Sequence, residues 1–304
     1  MKLKIKAVSL EQLLISTLLT SIFILLLFQT YILTKKHLLK SERKISIIHA
    51  KTVANFFLNN IIKNAGYKGP ISSIFLPEQS SINLKYNNTY IIPKAPIASC
   101  IATVNSCKNF VNYKILNKIT SQKIKPNSNI IIAYDIPEHT TVLKNSMIEN
   151  NSHLKIKSYI NNNQLQTGDH MIIADHTNIQ RFILSNIYQN DTLIHGPPYN
   201  TNSNFIKKFE QGAEIFRVKN IAFYIAKQYG TKSHSYSLYM EDFSLTYRAE
   251  AILDEVENLW INANSTKESA DGWIFNKHIL INILLNHKLN NQLITIKSFI
   301  KNAQ

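Results

Sequence analysis

The sequence predicts an α+β fold, with one long N-terminal α-helix followed by a β-rich globular domain. Three observations carry that expectation. The stretch from Leu13 to Leu33 holds no charged side chain. From there to Gly66 no proline or glycine interrupts the chain. Beyond Gly66, short segments rich in β-branched and aromatic residues alternate with clusters of Asn, Gly and Pro.

The first element is apolar along its length. Between Leu13 and Leu33 the only polar side chains, apart from the Tyr31 hydroxyl, are Ser16, Thr17, Thr20, Ser21, Gln29 and Thr30. About 20 such residues, rising 1.5 Å each, match the ~30 Å hydrocarbon core of a bilayer. A secretory signal has an apolar core of only ~7–15 residues and then small residues for cleavage. Here Lys35, Lys36 and His37 follow soon after the run. The segment is therefore read as a membrane span.

The helix is expected to continue past the membrane. Leu38, Ile45, Ile48, Phe56 or Phe57, and Ile61 recur at helical spacing, and Lys63 sits in the last turn before Ala65 and Gly66. Residues 8 to 64 as one helix would form a rod of roughly 85 Å. Its first half is apolar all round; its second half has an amphipathic face to pack on a domain.

The strands expected beyond it are "INLKYNNTYIIP", "SNIIIAYDI", "LKIKSYI", "DHMIIADH", "IQRFILSNIY", "AEIFRVKNIAFYIAK", "SYSLYMED", "FSLTYR" and "NKHILINILLNH". The stretch "AEAILDEVENLWI" fits either a helix or a strand after a turn. Loop residues are densest at 135–153 and 186–212.

Charge and cysteines bear on compartment and partners. The chain has 304 residues and a formal charge of +15. Its cations are nearly all lysine, in a sequence equally heavy in Asn and Ile. That pattern reads as coding bias more than selection for phosphate contacts, where arginine usually features. If nucleic acid is bound, the candidate contacts are Lys207, Lys208 and Arg248, beside Phe205, Phe209 and Tyr247 for base stacking. The two cysteines, Cys100 and Cys107, lie close together beyond the span. They suggest a small disulfide loop in an oxidising compartment. Lysines precede the span (Lys2, Lys4, Lys6), but more cations follow it. By charge alone the domain stays in the cytoplasm, whereas the cysteines point outside.

No catalytic motif is present: there is no G-x-S-x-G, Walker loop or G-x-G-x-x-G. In "GDHMIIADH", His170 and His176 would stand ~20 Å apart on one strand, too far to share a metal. Asp169 and Asp175 read better as turn formers at its ends. Asp254, Glu255 and Glu257 read as a solvated face, with a calcium site as the alternative. No cofactor and no enzymatic activity are expected.

Five blocks together resemble the minor pilins of the PilW family of type IV pili. "AVSLEQLLI" is similar to the prepilin segment G-F-S/T-L-I-E-L-L through Ser9, Leu10, Leu13 and Leu14. "VANFFLNNIIKNAGYKG" resembles a block ending in A-G-Y, through Ala65, Gly66 and Tyr67. "TGDHMIIADHTNIQRFILSN", "GAEIFRVKNIAFYIA" and "SLYMEDF" follow in the family's order, the first through Gly168, Asp169, Asp175 and Phe182.

The resemblance implies a leader over residues 1–7, cleaved by prepilin peptidase between Ala7 and Val8. It implies a transmembrane and assembly half of the helix at 8–34, an amphipathic half at 35–66, and a β-rich periplasmic or extracellular domain at 67–304. Implied partners are other minor pilins, the major pilin and the inner-membrane assembly platform. The implied place is the inner membrane and, after assembly, the pilus on the cell surface.

Two departures stand out. Ala7 replaces the usual glycine, and Gln12 takes the usual glutamate position with Glu11 one residue early. In the family that carboxylate is thought to pair with a neighbour's N-terminal amine, so Glu11 and Gln12 are the assembly candidates. Cutting after Lys6 would restore the glutamate's place but put a long cation at the cut. Alternatives to a pilus subunit are a type II secretion pseudopilin, a DNA-binding tip protein and an uncleaved, signal-anchored periplasmic binding module.

Overall fold

A 45-residue helix, α1 (Leu10–Ala54), runs without break into a π-helical turn (Asn55–Asn59) and a short α2 (Asn60–Asn64). The computed structural model describes residues 9–66, 79–80, 97–101, 124–157, 165–189, 191–201, 203–227, 235–242, 248–262, 266–269, 272–275, 278–287 and 290–299. The chain divides into two units, Met1–Thr52 and Val53–Gln304. Within the first unit the apolar side chains from Leu10 to Leu33 are exposed. The helix that contains them is long and apolar enough to cross a membrane.

The foot of the helix, in the second unit, corrects the sequence reading. Leu38, Ile45 and Ile48, in the first unit, and Phe56 are exposed; Phe57 and Ile61 are half-buried, and the fully buried residues are Ala54, Leu58, Ile62 and Ala65. The spacing of 54, 58 and 62 is strictly four. In an α-helix every fourth residue drifts by about 40° around the axis, so such a row would wander off its partner. A π-turn, bonded i→i+5, winds each residue through a smaller angle and keeps the row in line.

The helix then stops at Gly66, whose φ of 71° a side chain would strain. The Gly66 N–H donates to the Tyr134 carbonyl at 2.8 Å. Burying Leu58 and Ile62 contributes roughly 1.5–3 kcal/mol each.

The strands of the second unit are β1 (Gln79–Ser80), β2 (Ile97–Ile101), β3 (Asn129–Val142), β4 (Leu154–Lys155), β5 (His170–Ala174), β6 (Ile179–Tyr188), β7 (Thr192–His195) and β8 (Glu214–Lys227). After these come β9 (Tyr236–Asp242), β10 (Arg248–Leu253), β11 (Val256–Asn262), β12 (Thr266–Ser269), β13 (Gly272–Phe275), β14 (His278–His287) and β15 (Asn290–Phe299). The large sheet runs β12-β13-β2-β3-β8-β5-β6-β7-β4, with β9 on β8, β10 on β9 and β1 on β6. The small sheet is β11-β14-β15. All these pairs are antiparallel except β1–β6.

The spine is β8. One edge pairs with β3 along its length; the other pairs first with β5 at Glu214–Arg217 and then with β9 at Ile221–Lys227. A strand buried on both faces should be apolar at nearly every position, and "IAFYIA" in β8 is so. Phe216 and Val218 pack with Ile172, Ala174 and Ile179 on one face, while Ile215 joins Met171, Ile173, Phe182 and Phe205 on the other. The small sheet shows clean alternation, with Leu259, Ile283 and Ile294 in register across its three strands and all buried.

Several expectations need correction or lie elsewhere. The open stretch "AEAILDEVENLWI" forms β10 and β11, with a turn at Glu255 where φ is 56°. The loop expected from residue 135 is strand as far as Val142, and β7 lies inside the expected loop 186–212. Pro137 is tolerated within β3 because the pairing to β8 shifts register on both sides of it. β15 is not among the expected strands. "INLKYNNTYIIP", most of "FSLTYR" and Tyr67 lie outside the described residues.

Candidate assembly helix

The start of α1 is built by a reciprocal pair of hydrogen bonds. The Gln12 N–H donates to Ser9 Oγ at 3.3 Å, and the Ser9 N–H donates to Gln12 Oε1 at 3.4 Å. This is the capping-box arrangement, which satisfies two backbone donors that a helix end otherwise leaves bare. It gives Gln12 a structural task. Glu11, in the first turn, is exposed and carries a negative charge where the helix dipole favours one. Ala7 and Val8 lie outside the described residues.

Down the apolar segment, four of the five serine and threonine hydroxyls turn back onto their own helix, Ser16 being the exception. Thr17 donates to the Leu14 carbonyl, Thr20 to Ser16, Ser21 to Thr17 and Thr30 to Leu26 and Leu27, at 2.7 to 3.0 Å. Each donor is thereby satisfied without water, as a lipid environment demands. The same geometry removes these hydroxyls as donors to another helix. The Gln29 amide makes no hydrogen bond to its own chain among the described residues. With the Ser16 hydroxyl, which also makes no such bond, it is a polar group of this segment placed to pair with a neighbour.

At the lower end, Asn59 of the π-turn accepts at Oδ1 from Ser298 Oγ of β15 at 2.9 Å. The turn and α2 also pack on β15, and α2 packs on β3. The foot is therefore held by both sheets.

The sheet beneath carries buried charges, all of them engaged. Arg181 on β6 meets Asp135 of β3 in a two-pronged pair at 2.5 Å per contact. Burial pulls the Arg181 guanidinium down to about 9, which leaves it charged at neutral pH. Asp135 reaches it from a bulge with φ of 53°. Arg217 Nε lies 3.1 Å from Asp169 Oδ1, and the Tyr224 hydroxyl donates to Glu241 Oε2 at 2.7 Å. Burial and the Glu241 carboxylate push the Tyr224 phenol up. Burial holds His170 down at about 4, against the opposing pull of Asp242. His195 is also held at about 4, stacked on Phe205 at 3.8 Å. These histidines are neutral core residues.

The remaining candidates separate clearly. Asp175 caps the β5–β6 turn, its Oδ1 accepting from the N–H groups of Thr177 and Asn178 at 2.7 Å each. Asp169 Oδ2 accepts from the Gln166 N–H at 2.7 Å beside Gly168, whose φ is 96°. Both aspartates thus hold turns. Among the described residues, no group of three His, Cys, Asp or Glu side chains is placed to hold a metal. Asp254 accepts from Ser237 Oγ at 2.7 Å.

Lys207 and Lys208 are exposed, but Phe205 and Phe209 on either side of them are buried in the core. Neither ring can stack on a base, which corrects the proposed nucleic-acid contact. The Arg248 side chain and Tyr247 lie outside the described residues. Cys100 is buried in β2 and disulfide-bonded, and Cys107 lies outside the described residues. The capping box was readable as Ser9 followed three residues later by Gln12; the Asp135–Arg181 pair, 46 residues apart in sequence, had no local signal. Comparisons with protein-family models, with curated proteins and with solved structures return no match.

Proposed function

We propose that this chain is a structural subunit of a type IV pilus-like assembly, of the minor-pilin kind, whose N-terminal helix serves first as membrane anchor and then as assembly element. The observation that carries the reading is the contrast along one continuous helix. Its first turns present apolar side chains to the outside on every face, while its foot is buried in a β-rich domain. A helix apolar all round needs lipid or other helices as its surroundings. Transfer from bilayer to filament exchanges one for the other, driven by packing and polar pairing because lipid tails are as apolar as leucine. Glu11, Ser16 and Gln29 are groups of the exposed segment that can make such polar pairs.

In this reading prepilin peptidase cuts between Ala7 and Val8, and the β domain stands on the far side of the inner membrane. Other minor pilins, the major pilin and the assembly platform are its partners. The buried ion pairs and neutral histidines act as architecture, which fits a scaffold rather than an enzyme. N-terminal sequencing of the protein from membrane fractions tests this directly. A mature chain beginning at Val8 is expected, and Ala7→Asp should abolish its formation. An intact Met1 would overturn it in favour of an uncleaved, anchored binding module.

A further inference from the structure

We propose that the basic collar immediately after the span binds anionic phospholipid headgroups of the membrane the helix crosses. The proposal rests on the reading of Leu13–Leu33 as a span. Lys35, Lys36, Lys40, Arg43 and Lys44 are all exposed on α1, with Glu42 the one acidic residue among them. None of the five has a carboxylate at ion-pair distance among the described residues. Lys36, Lys40, Arg43 and Lys44 fall at i, i+4, i+7 and i+8, which places them on one helix face. The boundary itself is marked, because Lys35 Nζ stands 5.9 Å over the Tyr31 ring. An aromatic ring and a cation together are the usual furniture of a membrane–water interface.

Geometry assigns the contacts. At 1.5 Å per residue, Lys35, Lys36 and Lys40 stand roughly 3–10 Å beyond Leu33, in or beside a headgroup layer about 5–8 Å deep. Arg43 and Lys44 lie about 15–17 Å out, close enough for the surface potential to act across a Debye length of ~8–10 Å. Self-association through this face would set four cations against four, whereas a phosphodiester surface neutralises them. Each cation near an anionic surface favours binding by about fivefold.

The full-length protein reconstituted in phosphatidylcholine vesicles containing some phosphatidylglycerol tests this, using spin-labelled forms of each lipid. The expected result is several-fold enrichment of phosphatidylglycerol at the protein, declining with salt. Enrichment should vanish in the Lys35→Gln, Lys36→Gln, Lys40→Gln triple variant and persist in Lys207→Gln, Lys208→Gln. Inserted protein with no preference, or a preference that survives the triple change, would overturn the proposal alone. Loss of the preference on adding inorganic phosphate, but not chloride of equal ionic strength, would assign the collar to free phosphate and overturn it too. Failure of the protein to float with the vesicles would instead overturn the spanning reading beneath it.

Discussion

Leu25 and Leu58 are the same side chain on one unbroken run of helix, yet Leu25 is 59% exposed and Leu58 is 0% exposed. The difference lies in what each part of the helix was given to meet. Around Leu25 the neighbours on the helix surface are apolar or have their hydroxyl tied back, apart from the Gln29 amide one turn on, so the segment suits a medium without water. Around Leu58 the buried positions fall into one row, kept straight by the π-turn, and the rest of the surface carries asparagine and lysine beside an exposed Phe56 and half-buried Phe57 and Ile61. On the reading proposed above, one stretch suits exchangeable surroundings and the other a fixed one.

Acidification should separate the two regions most widely. His170 and His195 titrate at about 4 in the fold, against an ordinary value of 6.5. Between pH 6.5 and 4 the unfolded chain therefore binds protons the folded domain refuses, and stability falls as pH falls. Each histidine contributes a loss on the order of 3 kcal/mol across that window. The domain's thermal midpoint should drop steeply over it, while helicity of the span in micelles should not change. His195→Phe should move the acid transition to lower pH.

Removing one side of the buried pair comes next. Asp135→Ala leaves Arg181 charged and enclosed, at a cost of roughly 3–5 kcal/mol in denaturant unfolding. Arg181→Leu together with Asp135→Ala should recover part of it, since no orphaned charge remains.

Truncation of the two leucines makes the contrast direct. Leu58→Ala should destabilise the domain by about 2–5 kcal/mol, and Leu25→Ala should leave its unfolding curve unchanged. The smallest effect belongs to the cap. Ser9→Ala should cost about 1 kcal/mol, confined to faster amide exchange in the first turn of α1.

Much of this architecture was legible. β6 coincides with the expected "IQRFILSNIY", and β8 and β14 fall within their expected segments, because branched and aromatic residues there alternate or run continuously between turn residues. The long apolar helix was legible from composition alone. The helix foot was not, since its buried row begins with small residues, Ala50 and Ala54, and follows a four-residue spacing that a long regular α-helix would not keep in line. β15 carried its signal, with Ile294 and Ile296 alternating with Thr295 and Lys297, between asparagine-rich flanks that read as loop. Phe205 and Phe209 beside Lys207 and Lys208 looked like a stacking platform because sequence does not say which way a ring points; both belong to the core. The charge pair of Asp135 and Arg181 depends on a backbone bulge, and neither residue has a neighbour in sequence that announces it.

The central claim is that the upper helix exchanges its surroundings and the foot does not. A photo-crosslinking amino acid placed at Leu25, and separately at Leu58, in cells carrying the assembly machinery, tests it most directly. The account predicts that the Leu25 probe yields adducts with the N-terminal helices of other pilin subunits, while the Leu58 probe yields only links within its own chain. Lipid adducts alone from Leu25, under conditions where pili assemble, would contradict it.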